Sequence, residues 1–160
     1  MLYFNPHDLR QQVQAPRRIL GIDPGSKQLG LALTDVQLIL ASPFKTIKRQ
    51  KLSVLIQEFN NICKAQDVAA LVIGLPLSLD GTDGPAAHAA RDWGKDLAER
   101  LNLPYSLWDE RLSSSAVNRF LVKEMDLTRK KRNEVVDKLA ASYILQGWLD
   151  ATAQKKTPAY

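Results

Sequence analysis

The chain has 160 residues, 45% of them apolar and 24% charged; this is the make-up of one ordinary globular domain, burying roughly 70% of its unfolded surface, and it excludes extensive disorder. One cysteine excludes an intramolecular disulfide and a cysteine-built zinc cluster, and it suits a reducing compartment. The charge of +5 suits a polyanionic partner without demanding one, while the lack of an apolar leader in the first twenty residues, or of any uncharged apolar run of ~20 residues, leaves neither secretion nor membrane insertion expected.

Residues 1–16 are polar and Gln-rich around Gln11 to Gln14, and 151–160 lack an apolar period. They are expected as a flexible N-terminal arm and a flexible C-terminal tail around a single folded domain, 17–150. Ile19, Leu20 and Ile22 run into the turn Asp23-Pro24-Gly25, and strand-like composition resumes over 29–34, which predicts a β-hairpin. A third strand is expected within 38–44. Leu52, Leu55, Ile56, Phe59, Ile62 and Cys63 recur at helical spacing over 51–65, with Cys63 on the packed face. The near-continuous apolar run 68–73, closed by Gly74, reads as a central strand covered on both faces. Beyond the loop 76–85, Ala86, Ala90, Trp93, Leu97 and Leu101 mark an amphipathic helix leading to a strand at 105–109, and two helices follow at about 113–124 and 132–150. The whole reads as an α/β fold, one mixed five-stranded sheet with helices on both faces.

Three acids stand out. Asp23 closes a strand at the edge where such sheets place ligands, although Asp-Pro-Gly is also simply a good turn. Glu110 follows the strand 105–109, on the side of Ser106 and Trp108 and opposite Asp109; alone it reads equally as solvated surface. Asp137 heads a stripe of Ala140, Ala141, Ile144 and Trp148 on a helix. An inward carboxylate there needs a metal, a base or the helix start to compensate its burial, and the two alanines let the helix approach the sheet closely. Converging in one cleft, the three acids repel unless a cation intervenes, and an all-oxygen set selects Mg²⁺ or Mn²⁺. Two such ions hydrolyse phosphodiesters without a nucleophilic side chain.

Four segments, Gly21-Ile22-Asp23-Pro24-Gly25-Ser26-Lys27-Gln28-Leu29-Gly30, Gly74-Leu75-Pro76-Leu77-Ser78-Leu79-Asp80-Gly81-Thr82, Asp109-Glu110-Arg111-Leu112-Ser113-Ser114, and Val136-Asp137 followed by Ala140-Ala141, together resemble the YqgF, or RuvX, family of proposed Holliday junction resolvases and pre-16S rRNA nucleases. The resemblance spans residues 21 to about 150. It implies a ribonuclease H-like fold, a divalent-metal nuclease site at Asp23, Glu110 and Asp137, and a cytoplasmic role in maturing the 5′ end of 16S rRNA. Ser114 replaces the family's usual threonine and keeps the hydroxyl. For the fourth carboxylate that many ribonuclease H-like enzymes carry, Asp80, Asp109 and Glu134 are the candidates.

Around the acids, Ser26 and Lys27 in the hairpin turn are candidates to meet a phosphate, or a plain exposed turn. Arg129, Lys130, Lys131 and Arg132, just before the helix of Asp137, are placed to neutralise backbone phosphates, or form a solvated charge run. Arg111 steers a phosphate or pairs with a neighbouring acid; Arg91 is similarly open. His7 and His88 are too isolated for a metal set, and Cys63, Trp93, Trp108 and Trp148 read as core. The expected partner is nucleic acid, structured RNA such as pre-16S rRNA or branched DNA, bound by a monomer or a homodimer, since resolving a junction calls for two sites related by a two-fold axis. A non-catalytic ribosome-assembly factor is the alternative outside enzymes. An actin-like ATPase or kinase shares the acid and Gly-rich hairpin but needs two such domains, and 160 residues supply one.

Overall fold

A computed structural model of the chain describes residues 2–77, 81–112 and 129–153, excepting the side chains of 112 and of 129–138. The described elements run α1 (Pro6–Gln12), β1 (Arg18–Pro24), β2 (Gln28–Thr34), β3 (Ala41–Lys48), α2 (Leu52–Ala65), β4 (Val68–Leu75), α3 (Pro85–Leu101), β5 (Tyr105–Asp109), a 3-10 turn (Glu110–Leu112) and α4 (Arg129–Thr152). The strands form one sheet in the order β3-β2-β1-β4-β5. β1, β2 and β3 make an antiparallel meander, whereas β4 and β5 add parallel to β1 through the helical crossovers α2 and α3.

Alternation along the strands splits the core into two layers. Leu20, Ile22, Leu29, Leu31, Leu71 and Ile73 pack against the stripe of α2 formed by Leu52, Leu55, Phe59 and Ile62, together with Leu97 of α3. Ile19, Ala32 and Val72 face the other way, onto Ala141, Ile144, Leu145 and Trp148 of α4. Every residue of β4 is buried, as expected of a strand covered on both sides. The helices stop on local chemistry: Asn102 takes the left-handed conformation (φ 53°) and its N–H caps the carbonyls of Ala98 and Glu99, a geometry that asparagine tolerates better than most residues.

Two expectations are corrected. The third strand lies later, at Ala41–Lys48, because the apolar Ile39 and Leu40 are exposed in the β2–β3 connection instead of paired. The segment 1–16 is not a loose arm: α1 is capped by Asn5, whose side chain accepts the Asp8 N–H, and Leu9 and Val13 are buried with the α4 layer. Tyr3 forms a bridge to Tyr105 at the edge of β5. These few apolar residues follow no long period, so only their tertiary partners reveal them. At the other end α4 continues to Thr152, which is buried. The helix expected at 113–124 lies outside the described residues. Among the described residues, no helix is long and apolar enough to cross a membrane.

Candidate active site

Strand register brings two of the acids together. Ile22 of β1 lies opposite Ile73 of β4, and Gly74 of β4 lies opposite Trp108 of β5, so β1, β4 and β5 end at one edge. That edge is where open α/β sheets collect ligands. With Leu20 and Ile22 committed to the α2–α3 layer, alternation turns Gly21 and Asp23 toward α4. On β5, Trp108 packs with the α4 layer, and Glu110 follows at the head of the 3-10 turn.

Gly74 stands between the two acids and makes room for one of them. A Cβ on it would lie 2.5 Å from Glu110 Oε1, 3.0 Å from Glu110 Cγ and 2.8 Å from Ile144 Cδ1. Glu110 therefore lies across a position that only glycine leaves open, with α4 closing over it. Burial, a hydrogen bond to the Asp23 side chain, and the charges of Asp23 and Asp109 push the Glu110 carboxyl up to about 9. Near neutral pH Glu110 therefore keeps its proton, since its buried carboxyl beside a second acid disfavours the charged form.

A hard dication bound here would take the place of the Glu110 proton. Oxygen donors with charge crowded at a strand edge fit Mg²⁺ or Mn²⁺, and the residues present fit such an ion. Among the described residues, no group of three or more metal-ligating side chains is assembled. Asp137 belongs to α4, but its side chain lies outside the described residues, as do those of Arg129, Lys130, Lys131, Arg132 and Glu134. Asp80 lies outside them too. Asp109 is occupied otherwise: Arg111 Nη2 is 2.6 Å from its Oδ2, and the Arg111 Nε and backbone N–H also donate to it. Those bonds hold Asp109 below the usual carboxylate range. Arg111 thus pairs with a neighbouring acid; its guanidinium also lies close to Gly81. Ser26 and Lys27 are exposed in the turn beside Asp23. Arg91 pairs with Asp83 at 3.2 Å.

A family profile described as Holliday junction resolvase, RuvX, matches residues 17–151. The chain belongs to the RuvX family. A relative from Gluconobacter oxydans (strain 621H) is 63% identical over 152 residues, 95% of each chain. Another, from Gluconacetobacter diazotrophicus, is 57% identical over 96% of this chain and 100% of its own. Both carry the provisional name pre-16S rRNA nuclease. Among solved structures, Thermus thermophilus RuvC in complex with a Holliday junction substrate aligns with a TM-score of 0.52 at 14% identity, covering 86% of this chain and 96% of that one. A second structure of Thermus thermophilus RuvC gives 0.50 at 12% identity, over 84% and 95%. At such identities the likeness establishes the fold: this RuvX-family chain has the RuvC-type, ribonuclease H-like architecture.

Arg49, just beyond β3, escaped the sequence reading. Its Nη1 donates to the Gly25 carbonyl at 2.7 Å and its backbone N–H to the Lys27 carbonyl at 2.9 Å, which ties the turn carrying Asp23 to the end of β3. The guanidinium lies over the Trp93 ring, 5.5 Å from its centroid. Nothing in the local pattern marks it, because both contacts are made across elements distant in sequence. Cys63 behaves as expected of a core thiol: burial pushes it up to about 11, leaving almost no thiolate near neutral pH.

Proposed function

We propose that this RuvX-family chain is a divalent-metal-dependent nuclease of the cytoplasm that cleaves structured RNA in maturing the 5′ end of 16S rRNA. The observation that carries the chemistry is Glu110 hydrogen-bonded to Asp23 and laid over Gly74 at the common end of β1, β4 and β5. Asp23 and Glu110 would hold Mg²⁺ or Mn²⁺, with Asp137 as the third ligand, since helical spacing assigns position 137 to the stripe of Ala141, Ile144 and Trp148. When bound, such ions activate water and neutralise the leaving oxygen of a phosphodiester. The chain's own part is to give up the Glu110 proton, to keep both carboxylates on rigid strand ends, and to present Ser26, Lys27 and the block Arg129, Lys130, Lys131 and Arg132 to the phosphates. Arg111 takes part by keeping Asp109 ionised, and the charge of Asp109 helps to hold the proton on Glu110 until a metal displaces it.

The family description favours a second reading, a resolvase acting on branched DNA. A pre-16S RNA fragment and a four-way DNA junction, incubated side by side with Mg²⁺ or Mn²⁺, separate the two. RNA cleavage is expected, and Asp23→Asn, Glu110→Gln and Asp137→Asn should each lower it by more than the ~100-fold that loss of a supporting second-shell group costs. Cleavage that survives Asp23→Asn and Glu110→Gln would sink the site. Metal-independent binding without turnover would point to the assembly factor.

A further inference from the structure

The basic surface beside the hairpin has a shape of its own. Arg49, Lys51, Leu52, Trp93, Asp96 and Arg100 line a groove of about 600 Å³ between the β3–α2 junction and α3. Three cations face the single carboxylate of Asp96, which is itself paired with Arg100 at 3.0 Å. The groove meets the turn that follows Asp23, on the α2–α3 side of the sheet: β3 runs parallel to β1, so Arg49 emerges at the same sheet edge as Asp23, and its bond to Gly25 joins the groove wall to the turn. Lys27 is exposed on that turn, extending the positive strip toward the acids. Arg49 is held by the Gly25 carbonyl and the Trp93 indole, so its charge is in place before any ligand arrives.

We propose that this groove carries the phosphodiester backbone of the nucleic acid beside the cut, contacting phosphates through Lys51, Arg49 and Arg100 and leaving the bases unread. The groove offers Arg49 and Arg100 held by their neighbours and the exposed Lys51, while its one aromatic, Trp93, is half-buried with Arg49 over its ring, the make-up of a backbone contact instead of base readout. The inference rests on the nuclease reading for its substrate class, but its test does not need catalysis.

Equilibrium binding of a labelled RNA hairpin, and of a DNA hairpin of the same sequence, would be measured in EDTA across a series of salt concentrations. Lys51→Ala should weaken both probes severalfold and lower the slope of log affinity against log salt by about 1, the signature of one lost phosphate contact. Lys64→Ala, at the far end of α2, changes the net charge equally and should leave both unchanged. An unaltered slope in Lys51→Ala, an equal effect from Lys64→Ala, or an effect confined to RNA would each overturn the proposal. Cleavage assays on the same proteins keep the two readings apart. Normal cleavage with an unaltered Lys51→Ala slope overturns the groove alone; absent cleavage with the expected slope change overturns the nuclease alone.

Discussion

In the proposed site, Glu110 is the side chain whose state depends most on its surroundings. Its carboxyl keeps its proton to about 9 in the folded, metal-free protein, whereas in the unfolded chain it ionises near the ordinary glutamate value. Between those two points the folded state binds more protons than the unfolded one, so this group's contribution to stability is complete at acid pH and is lost as pH rises toward 9. Glu110→Gln, which mimics the protonated form, should therefore melt like the wild type near pH 4.5 and several degrees higher near pH 8.5, both in EDTA. Equal melting at the two pH values would show that the proton is not held there. The same linkage requires Mg²⁺ or Mn²⁺ to displace a proton on binding, so affinity should climb with pH up to about 9, with proton release visible in weakly buffered calorimetry. Glu110 was legible in the sequence as an acid just past a strand. Its partnership with Asp23 was not, since 86 intervening positions say nothing about which strands become neighbours.

At the scale of elements, the contact of α4 with the sheet rests on small residues from both sides. The helix offers Ala140 and Ala141, both buried, as its sequence suggested; the strands answer with Gly21 and Gly74, whose role only the packing exposes. A Cβ on Gly21 would lie 2.9 Å from Leu145 Cβ, an atom fixed to the helix backbone, so the helix itself must move. Gly21→Ala and Gly74→Ala should each cost about 1–3 kcal/mol in denaturant unfolding, the usual cost of overpacking. Their activities should part company. Gly74→Ala also drives Glu110 off its seat and is expected to cost roughly a hundredfold in cleavage at a temperature where both proteins remain folded, while Gly21→Ala costs less. Similar losses in the two would mean that Gly74 serves packing only. α1 is held by the same layer: Leu9 is fully buried, and Leu9→Ala should destabilise by about 2–5 kcal/mol, a result that a free arm would not give.

Across the whole molecule, β1, β3, β4 and β5 run the same way, and their ends form one rim that carries the proposed site. Asp23 and Glu110 occupy its middle, and the Arg49 groove leads off its β3 side. On this layout, raising salt should weaken substrate binding without touching the carboxylate pair, so KM should rise steeply with ionic strength while kcat changes little, a split that steady-state kinetics can check. The sequence alone determined what depends on neighbours along the chain: the hairpin at Asp23-Pro24-Gly25, the periods of α2 and α3, and the buried run of β4. It could do so because helical and strand periodicities and turn chemistry act over a few residues. Tertiary structure decided what depends on register and approach: that Gly74 is the seat of Glu110, that Asp109 belongs to Arg111, that Arg49 braces the turn, and that residues 2–13 pack as part of the domain. Those relations arise where the sheet sets segments far apart in the chain ~4.8 Å from one another, a distance no local pattern encodes.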